Sequence, residues 1–337
     1  MSRRRLALVG AGQMGSSHAR IIAESPLAEL AVVIDVDAEA AKRVAGTFDS
    51  VPSTNLADAL DCDGVIIAGS TAARMECVLP LLEAGLPMLV EKPFAPTLSE
   101  LDQLLAIARR SETPVMCGFV ERFNAAFRTA LQILDGPATH LLAIRHSPAA
   151  TRITSSVVND LMLHDLDVAQ CVFGDADGVL VGSACVQPSN SKWNEIADCT
   201  IAFSSSSDER PDEREGERHR ERHGIATLSA NRMGQRKVRS LSIHTATKLV
   251  EVDLLRQDVT LYRNVSQEML PSAGGVGYRS STEVELPFVR HFGEPLALQL
   301  GHFLVLIDGV ADPAQELRQI RPAHVFAEQI ETASRLR

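Results

Sequence analysis

No stretch of the sequence approaches the ~20 consecutive apolar residues of a membrane-spanning helix, so a helical membrane span is not expected. The six cysteines, at positions 62, 77, 117, 171, 185 and 199, include no CxxC spacing. That excludes the usual zinc knuckle and the thioredoxin-type redox pair. Cys62, Cys117 and Cys171 read instead as small core residues. Positive charge is in deficit, with 33 Lys and Arg against 43 Asp and Glu and a net charge of −10. An acidic chain argues against general binding to nucleic acid or to anionic membranes, while leaving small anions in a locally basic pocket open. Aromatic side chains are few, with one Trp and two Tyr. A ring-shaped ligand could stack on little beyond Trp193, Tyr262 or Tyr278, and each of these reads first as packing or surface.

What is present is an ordinary globular balance, 45% hydrophobic and 23% charged, which excludes a wholly disordered or collagen-like chain. A length of 337 residues suggests two domains. The basic triplet Arg3, Arg4 and Arg5 precedes an apolar run that stops at Gly10, too short for the core of a secretion signal. Free cysteines suit a reducing compartment, so a cytoplasmic location is expected.

Through about residue 120, short Val-, Ile- and Leu-rich runs (6–9, 30–34, 64–68, 88–90 and 114–119) alternate with amphipathic stretches. Such runs are those of parallel strands buried on both faces. Thr97 and Glu100 have capping-box spacing, and Gly85 reads as a helix stop. The alternation predicts an α/β fold with a doubly wound parallel sheet over residues 1–120. Beyond it, helices over 124–134 and 157–172 flank a strand at 141–146. Alternating segments at 201–204, 225–229, 238–244, 248–254 and 259–263 then predict one large, open, mostly antiparallel sheet over 121–337. The tail returns to helix at 294–306 and 321–336, and the last helix is expected to pack back on the first domain. Residues 208–223 hold 12 charged residues of 16 and nothing apolar, which predicts a solvated, mobile loop.

Four motifs carry chemistry. Gly10-Ala11-Gly12-Gln13-Met14-Gly15 follows the first strand and opens a helix. Gly10 permits the turn, Gly12 a close approach by a pyrophosphate, and Gly15 close packing of helix on strand; the helix N-terminus supplies amides. Asp35 closes the second strand, 20 residues after Gly15, where a carboxylate would meet the ribose hydroxyls of a dinucleotide. It would repel a 2′-phosphate, which favours NAD over NADP. Second, Ser70 and Thr71 end the fourth strand, either touching the cofactor or capping the next helix. Third, Glu91-Lys92-Pro93 follows the strand at 88–90. Lys92 reads as a proton-transfer group at the crevice or as a solvated turn residue, and Pro93 can set an unusual backbone, a cis bond included. Fourth, in the segment 160–167, DLMLHDLD, Asp160 and His164 share a helix face, with Asp167 following. A carboxylate beside an imidazole suits general acid–base work. A surface ion pair and a metal site are the other readings, but no further ligand cluster is visible, so no metal is expected.

In this order the four motifs resemble the Gfo/Idh/MocA oxidoreductase family. The resemblance covers nearly the whole chain and is tightest through about residue 175. It implies an N-terminal Rossmann domain, a C-terminal α/β domain whose open sheet forms homodimers or homotetramers, and hydride transfer between NAD(P) and a hydroxyl carbon. The substrate class it implies is a sugar, sugar nucleotide or cyclitol. Gly10, Gly12, Gln13, Met14, Gly15, Asp35, Ser70, Thr71, Glu91, Lys92 and Pro93 are then the expected cofactor residues. Lys92, Asp160 and His164 are the expected catalytic residues. Lys92, Arg122, Asn124, Arg152 and His164 are the expected substrate contacts. The stretch 237–253 looks like members acting on UDP-N-acetylglucosamine-type sugars at C3. An NADPH-dependent ketosugar reductase and a non-catalytic NAD(H)-binding regulator are the competing readings. The chain departs from the family where its fourth strand ends: residues 69–74 read GSTAAR, without the Thr-Pro and the nearby His often found there. Glycines often precede the fourth motif in the family, whereas residues 155–159 here read SSVVN.

Overall fold

The short apolar runs of the first 120 residues become buried strands separated by helices, in a computed structural model that describes residues 3–149, 155–174, 176–204, 222–272 and 275–335. The elements follow as β1 (Arg4–Val9), α1 (Gln13–Glu24), β2 (Ala28–Ile34), α2 (Ala38–Thr47), β3 (Val51–Ser53), β4 (Gly64–Ile67), α3 (Arg74–Glu83), β5 (Met88–Val90), α4 (Leu98–Ser111) and β6 (Val115–Cys117). All six strands are parallel, in the order β3-β2-β1-β4-β5-β6. The order reverses between β1 and β4, the place where open α/β sheets hold their ligands. The expected punctuation is there. Thr97 accepts the Glu100 amide and its hydroxyl donates to the Glu100 carboxylate, and Gly85 takes φ +77° after α3. β3 was not expected: it has three residues, one of them Pro52, and lies at the sheet edge, where a missing N–H is tolerated.

A second sheet follows, with α5 (Ala125–Ile133), β7 (His140–His146), a widened π turn at Val158–Met162 that runs into α6 (Leu163–Phe173), β8 (Asp177–Val186), β9 (Ile196–Ser204), β10 (Arg222–Asn231), β11 (Val238–His244), β12 (Lys248–Asp253), β13 (Asp258–Ser272) and β14 (Gly275–Glu285). The order is β14-β13-β12-β11-β7-β10-β9-β8. Every neighbouring pair is antiparallel except β7 with β10. α6 lies on β7 and β10, and α5 on β12 and β13. Under these helices alternate strand residues are buried, such as Leu141 and Ala143 on β7 and Ala226, Leu228 and Ala230 on β10. The segment 208–223 lies outside the described residues except for Arg222 and His223, which open β10.

The chain forms two compact units. The first runs to Phe123 and also takes in Phe292–Glu328; the second comprises Asn124–His291 and the chain from Gln329 on. The reason is hydrophobic. Leu296, Leu300, Phe303 and Leu304 of α7 (Pro295–Ile307) share a core with Leu6 and Leu8 of β1, Ile22 of α1 and Ile66 of β4. The last helix, α8 (Pro313–Arg335), starts well before residue 321 and carries Pro322 in its interior. Within the first unit Arg321 pairs with Asp102 of α4, at 2.6 Å. None of the helices among the described residues is long and apolar enough to cross a membrane.

Candidate active site

The glycine turn stands at the sheet's switch point. Gly10 has φ +100°, and a Cβ there would lie 2.5 Å from the backbone nitrogen of Gly69 at the end of β4. A Cβ on Gly15 would fall 1.8 Å from the carbonyl oxygen of Gly10, so helix and strand touch through backbone alone. Gly12 differs: apart from its immediate chain neighbours, no heavy atom of the described residues lies within 4 Å of where its Cβ would be. Gly12 is also the N-cap of α1, with no side-chain cap, and Gln13 and Met14 beside it are exposed. First-turn amides left this way are ready for an anion.

Asp35, half-buried at the end of β2, holds this turn in shape. Its Oδ2 accepts the Ala11 amide at 2.7 Å and its Oδ1 the Asp37 amide at 2.9 Å. Each oxygen keeps a lone pair, so the carboxylate can still meet ribose hydroxyls. Room at Gly12, uncapped α1 amides and the Asp35 carboxylate together fit a dinucleotide.

Ser70 is exposed and makes no side-chain cap to the turn at Thr71–Ala73, so of its two readings capping is not realised; Thr71 is half-buried. The Lys92–Pro93 peptide is cis. Lys92 and Pro93 are half-buried and follow β5 directly. Glu91 turns inward. Its Oε1 accepts from Nε2 of buried His18 on α1 at 2.8 Å. A Cβ on Gly118 would lie 2.7 Å from its Oε2.

Two groups that shape this region had no local signal in the sequence. Arg74, buried where residues 69–74 depart from the family, donates to the carbonyls of Gly69 (3.1 Å from Nη2), Glu91 and Pro93. It thus ties the tails of β4 and β5 together with one cation. Burial lowers its pKa, and the nearby Glu91 charge opposes that. The second is His324 of α8. Its Nδ1–H donates to the Ile320 carbonyl at 2.7 Å and its Nε2 accepts the Phe94 amide at 3.0 Å. Those partners fix the neutral tautomer, and burial pushes the imidazole pKa down to about 4.

In the second unit, Asp160 falls within the π turn Val158–Met162, and His164 is the second residue of α6. Turns of this kind recur at functional sites. Asp160 and His164 are part-exposed, whereas Asp165 and Asp167 are buried. Arg145, a buried residue of β7, grips Asp165 with both carboxylate oxygens at 3.0 Å from Nε and Oδ1 at 2.8 Å from Nη2. Arg232, just past β10, reaches Asp160 Oδ2 at 3.2 Å and Glu195 Oε2 at 2.9 Å. No group of three His, Cys, Asp or Glu able to hold a metal occurs among the described residues.

The expected substrate contacts are distributed unevenly. Arg122 donates from Nη2 to the Gln319 carbonyl at 3.1 Å and lies over the Phe119 ring, 5.1 Å from its centroid. Asn124 is buried; its Oδ1 accepts the Ala126 amide as the cap of α5, and its Nδ2 donates to the Leu254 carbonyl. Both thus have structural work. Arg152 lies outside the described residues, as does the side chain of Tyr278, while Trp193 is exposed.

Known proteins are similar to this chain in sequence and in fold. Residues 4–119 match the family described as an oxidoreductase family with an NAD-binding Rossmann fold, Gfo/Idh/MocA. The chain is 28% identical over 265 residues to the UDP-N-acetylglucosamine 3-dehydrogenase of Acidithiobacillus ferrooxidans, covering 77% of this chain and 76% of that protein. It is 30% identical over 181 residues to the inositol 2-dehydrogenase of Leifsonia xyli subsp. xyli, covering 50% and 53%. The solved structure of the Acidithiobacillus ferrooxidans enzyme GnnA superposes with a TM-score of 0.81 at 23% identity, over 100% of this chain and 99% of that one, which shows a shared fold. The family match thus covers residues 4–119, the Rossmann part of the first unit.

Proposed function

We propose that the protein is an NAD-dependent dehydrogenase acting on a hydroxyl-bearing carbon of a sugar, sugar nucleotide or cyclitol. The observation that carries this reading is the division of the DLMLHDLD segment: Asp165 and Asp167 are buried, while Asp160 and His164 remain part-exposed. A part-exposed carboxylate and imidazole four residues apart can meet a ligand and exchange a proton with it. UDP-N-acetylglucosamine leads the candidate substrates, because the relative aligned over 77% of the chain is named for it. The inositol 2-dehydrogenase keeps cyclitols in the class.

Bound NAD supplies the hydride acceptor. The α1 amides from Gly12 onward would hold its pyrophosphate and Asp35 its ribose hydroxyls. His164 takes the proton from the substrate hydroxyl as the C–H bond breaks. Asp160 keeps the imidazole basic. Lys92, next to the end of β5, is the first unit's candidate for proton transfer. Positioned proton transfer of this kind contributes about 10²–10⁴-fold. The valines that β8 exposes, Val179, Val181 and Val186, support a homodimer or homotetramer contact on the second sheet.

Reduction of NAD, followed by NADH absorbance across sugar nucleotides, free sugars and inositols, tests the substrate class. Lys92→Ala should lose turnover by about 10²-fold or more and keep NADH affinity. Full activity in that variant removes Lys92 from the chemistry. Fluorescence titration with both cofactors tests Asp35: tighter NADPH binding would overturn the NAD assignment.

A further inference from the structure

We infer that Arg232 is a positioning residue for Asp160, held in place by Glu195. The inference rests on the reading of Asp160 as the partner of His164. Arg232 comes from the strand end after β10, far from Asp160 in sequence, and its side chain is 3% exposed. Each nitrogen of its planar fork has a partner. Nε donates to Glu195 Oε2 at 2.9 Å, Nη1 to Asp160 Oδ2 at 3.2 Å, and Nη2 to the Asn194 carbonyl at 3.3 Å. The same Asn194 carbonyl accepts the amide of Val157, where the helix opens. Glu195 is fixed in turn: its Oε1 accepts from the Ser191 hydroxyl at 2.6 Å, and its carbonyl accepts the Arg232 amide at 2.9 Å.

Two features make this more than a buried ion pair. First, Asp160 stands in the widened turn Val158–Met162, a kind of turn that recurs at functional sites, with its amide bonded to the Ser156 carbonyl at 3.0 Å. Its part-exposed side chain is held by the guanidinium, which is rigid because three partners fix its plane. Second, the charges are unequal. Glu195, 6% exposed, already compensates the buried cation, whereas the Asp160 side chain is 41% exposed. Arg232 with its two carboxylates carries a net −1, so Asp160 is oriented by a hydrogen bond and still offers negative charge to an imidazole. A lone arginine would have neutralised it.

The test is a double-mutant cycle on the full-length protein, assayed with NAD and whichever of UDP-N-acetylglucosamine or myo-inositol reduces it. Arg232→Met should lower kcat by about 30-fold, the scale of a misplaced catalytic group, with KM nearly unchanged and NADH affinity at the wild-type value. Arg232→Lys should restore part of kcat, since it keeps the charge and loses the fork. In an Asp160→Asn background, Arg232→Met should lower kcat no further. An equal fall in both backgrounds, or wild-type kcat in folded Arg232→Met, overturns the inference while leaving Asp160 in the mechanism. Wild-type kcat in Asp160→Asn overturns the catalytic reading itself, and the inference with it. If Arg232→Met does not fold, the cycle run with Arg232→Lys decides by the same non-additivity.

Discussion

Gly12 and Gly15 stand three residues apart and make opposite demands. The missing Cβ of Gly15 would overlap the Gly10 carbonyl, whereas that of Gly12 would meet empty space. Gly15→Ala should therefore destabilise the fold by about 3 kcal/mol, the upper range for an overpacked site. Gly12→Ala should leave the denaturation midpoint within about 0.5 kcal/mol of wild type and yet weaken NADH binding, because the methyl stands where a pyrophosphate would come. Urea denaturation and fluorescence titration of the two variants check this. Equal loss of stability in both would show that Gly12 is there for packing. The glycine turn and Asp35 are readable from sequence because their spacing is local. Arg74, His18 and Arg232 are not, since each meets partners 5 to more than 70 residues away.

At the level of elements, the helix bearing His164 is fastened to its sheet by charge as well as by leucines. Arg145 and Asp165 are both almost fully buried. Leaving either charge without its partner costs about 3–5 kcal/mol, while an apolar pair of similar volume is often neutral. Asp165→Asn should thus lower the urea midpoint sharply, and Arg145→Met with Asp165→Leu should recover most of it. A double variant as unstable as the single one would sink this account. The sequence reading found β11 at its observed bounds and both of the helices before β8, because their apolar spacing is regular. It missed β8 and β14. β8 exposes Val179 and Val181, so no buried apolar face marks it, and β14 pairs with β13 at the sheet's edge. It also started the last helix at residue 321, whereas Pro313 is the residue that opens it.

Across the molecule, acid should find a weak point in the first unit. His324 is neutral when folded, with a pKa of about 4, below the 6.5 of a free imidazole. The unfolded chain therefore binds a proton that the folded one refuses. The stability tied to this group is complete above pH 6.5 and falls as the pH drops toward 4, by about 3 kcal/mol in all. Chemical denaturation from pH 7 to pH 4 should show a shallower acid slope for His324→Gln than for wild type; parallel slopes would contradict it. The second unit has a different sensitivity, set by the single parallel junction of its sheet. β7 and β10 pair side by side, yet the helix with Asp160 and His164 and the β8–β9 hairpin lie between them in the chain. Contacts between distant segments close late. During synthesis α6 leaves the ribosome early but has half its bed missing until β10 follows, so a nascent chain halted before β10 would carry the proposed acid–base pair unplaced.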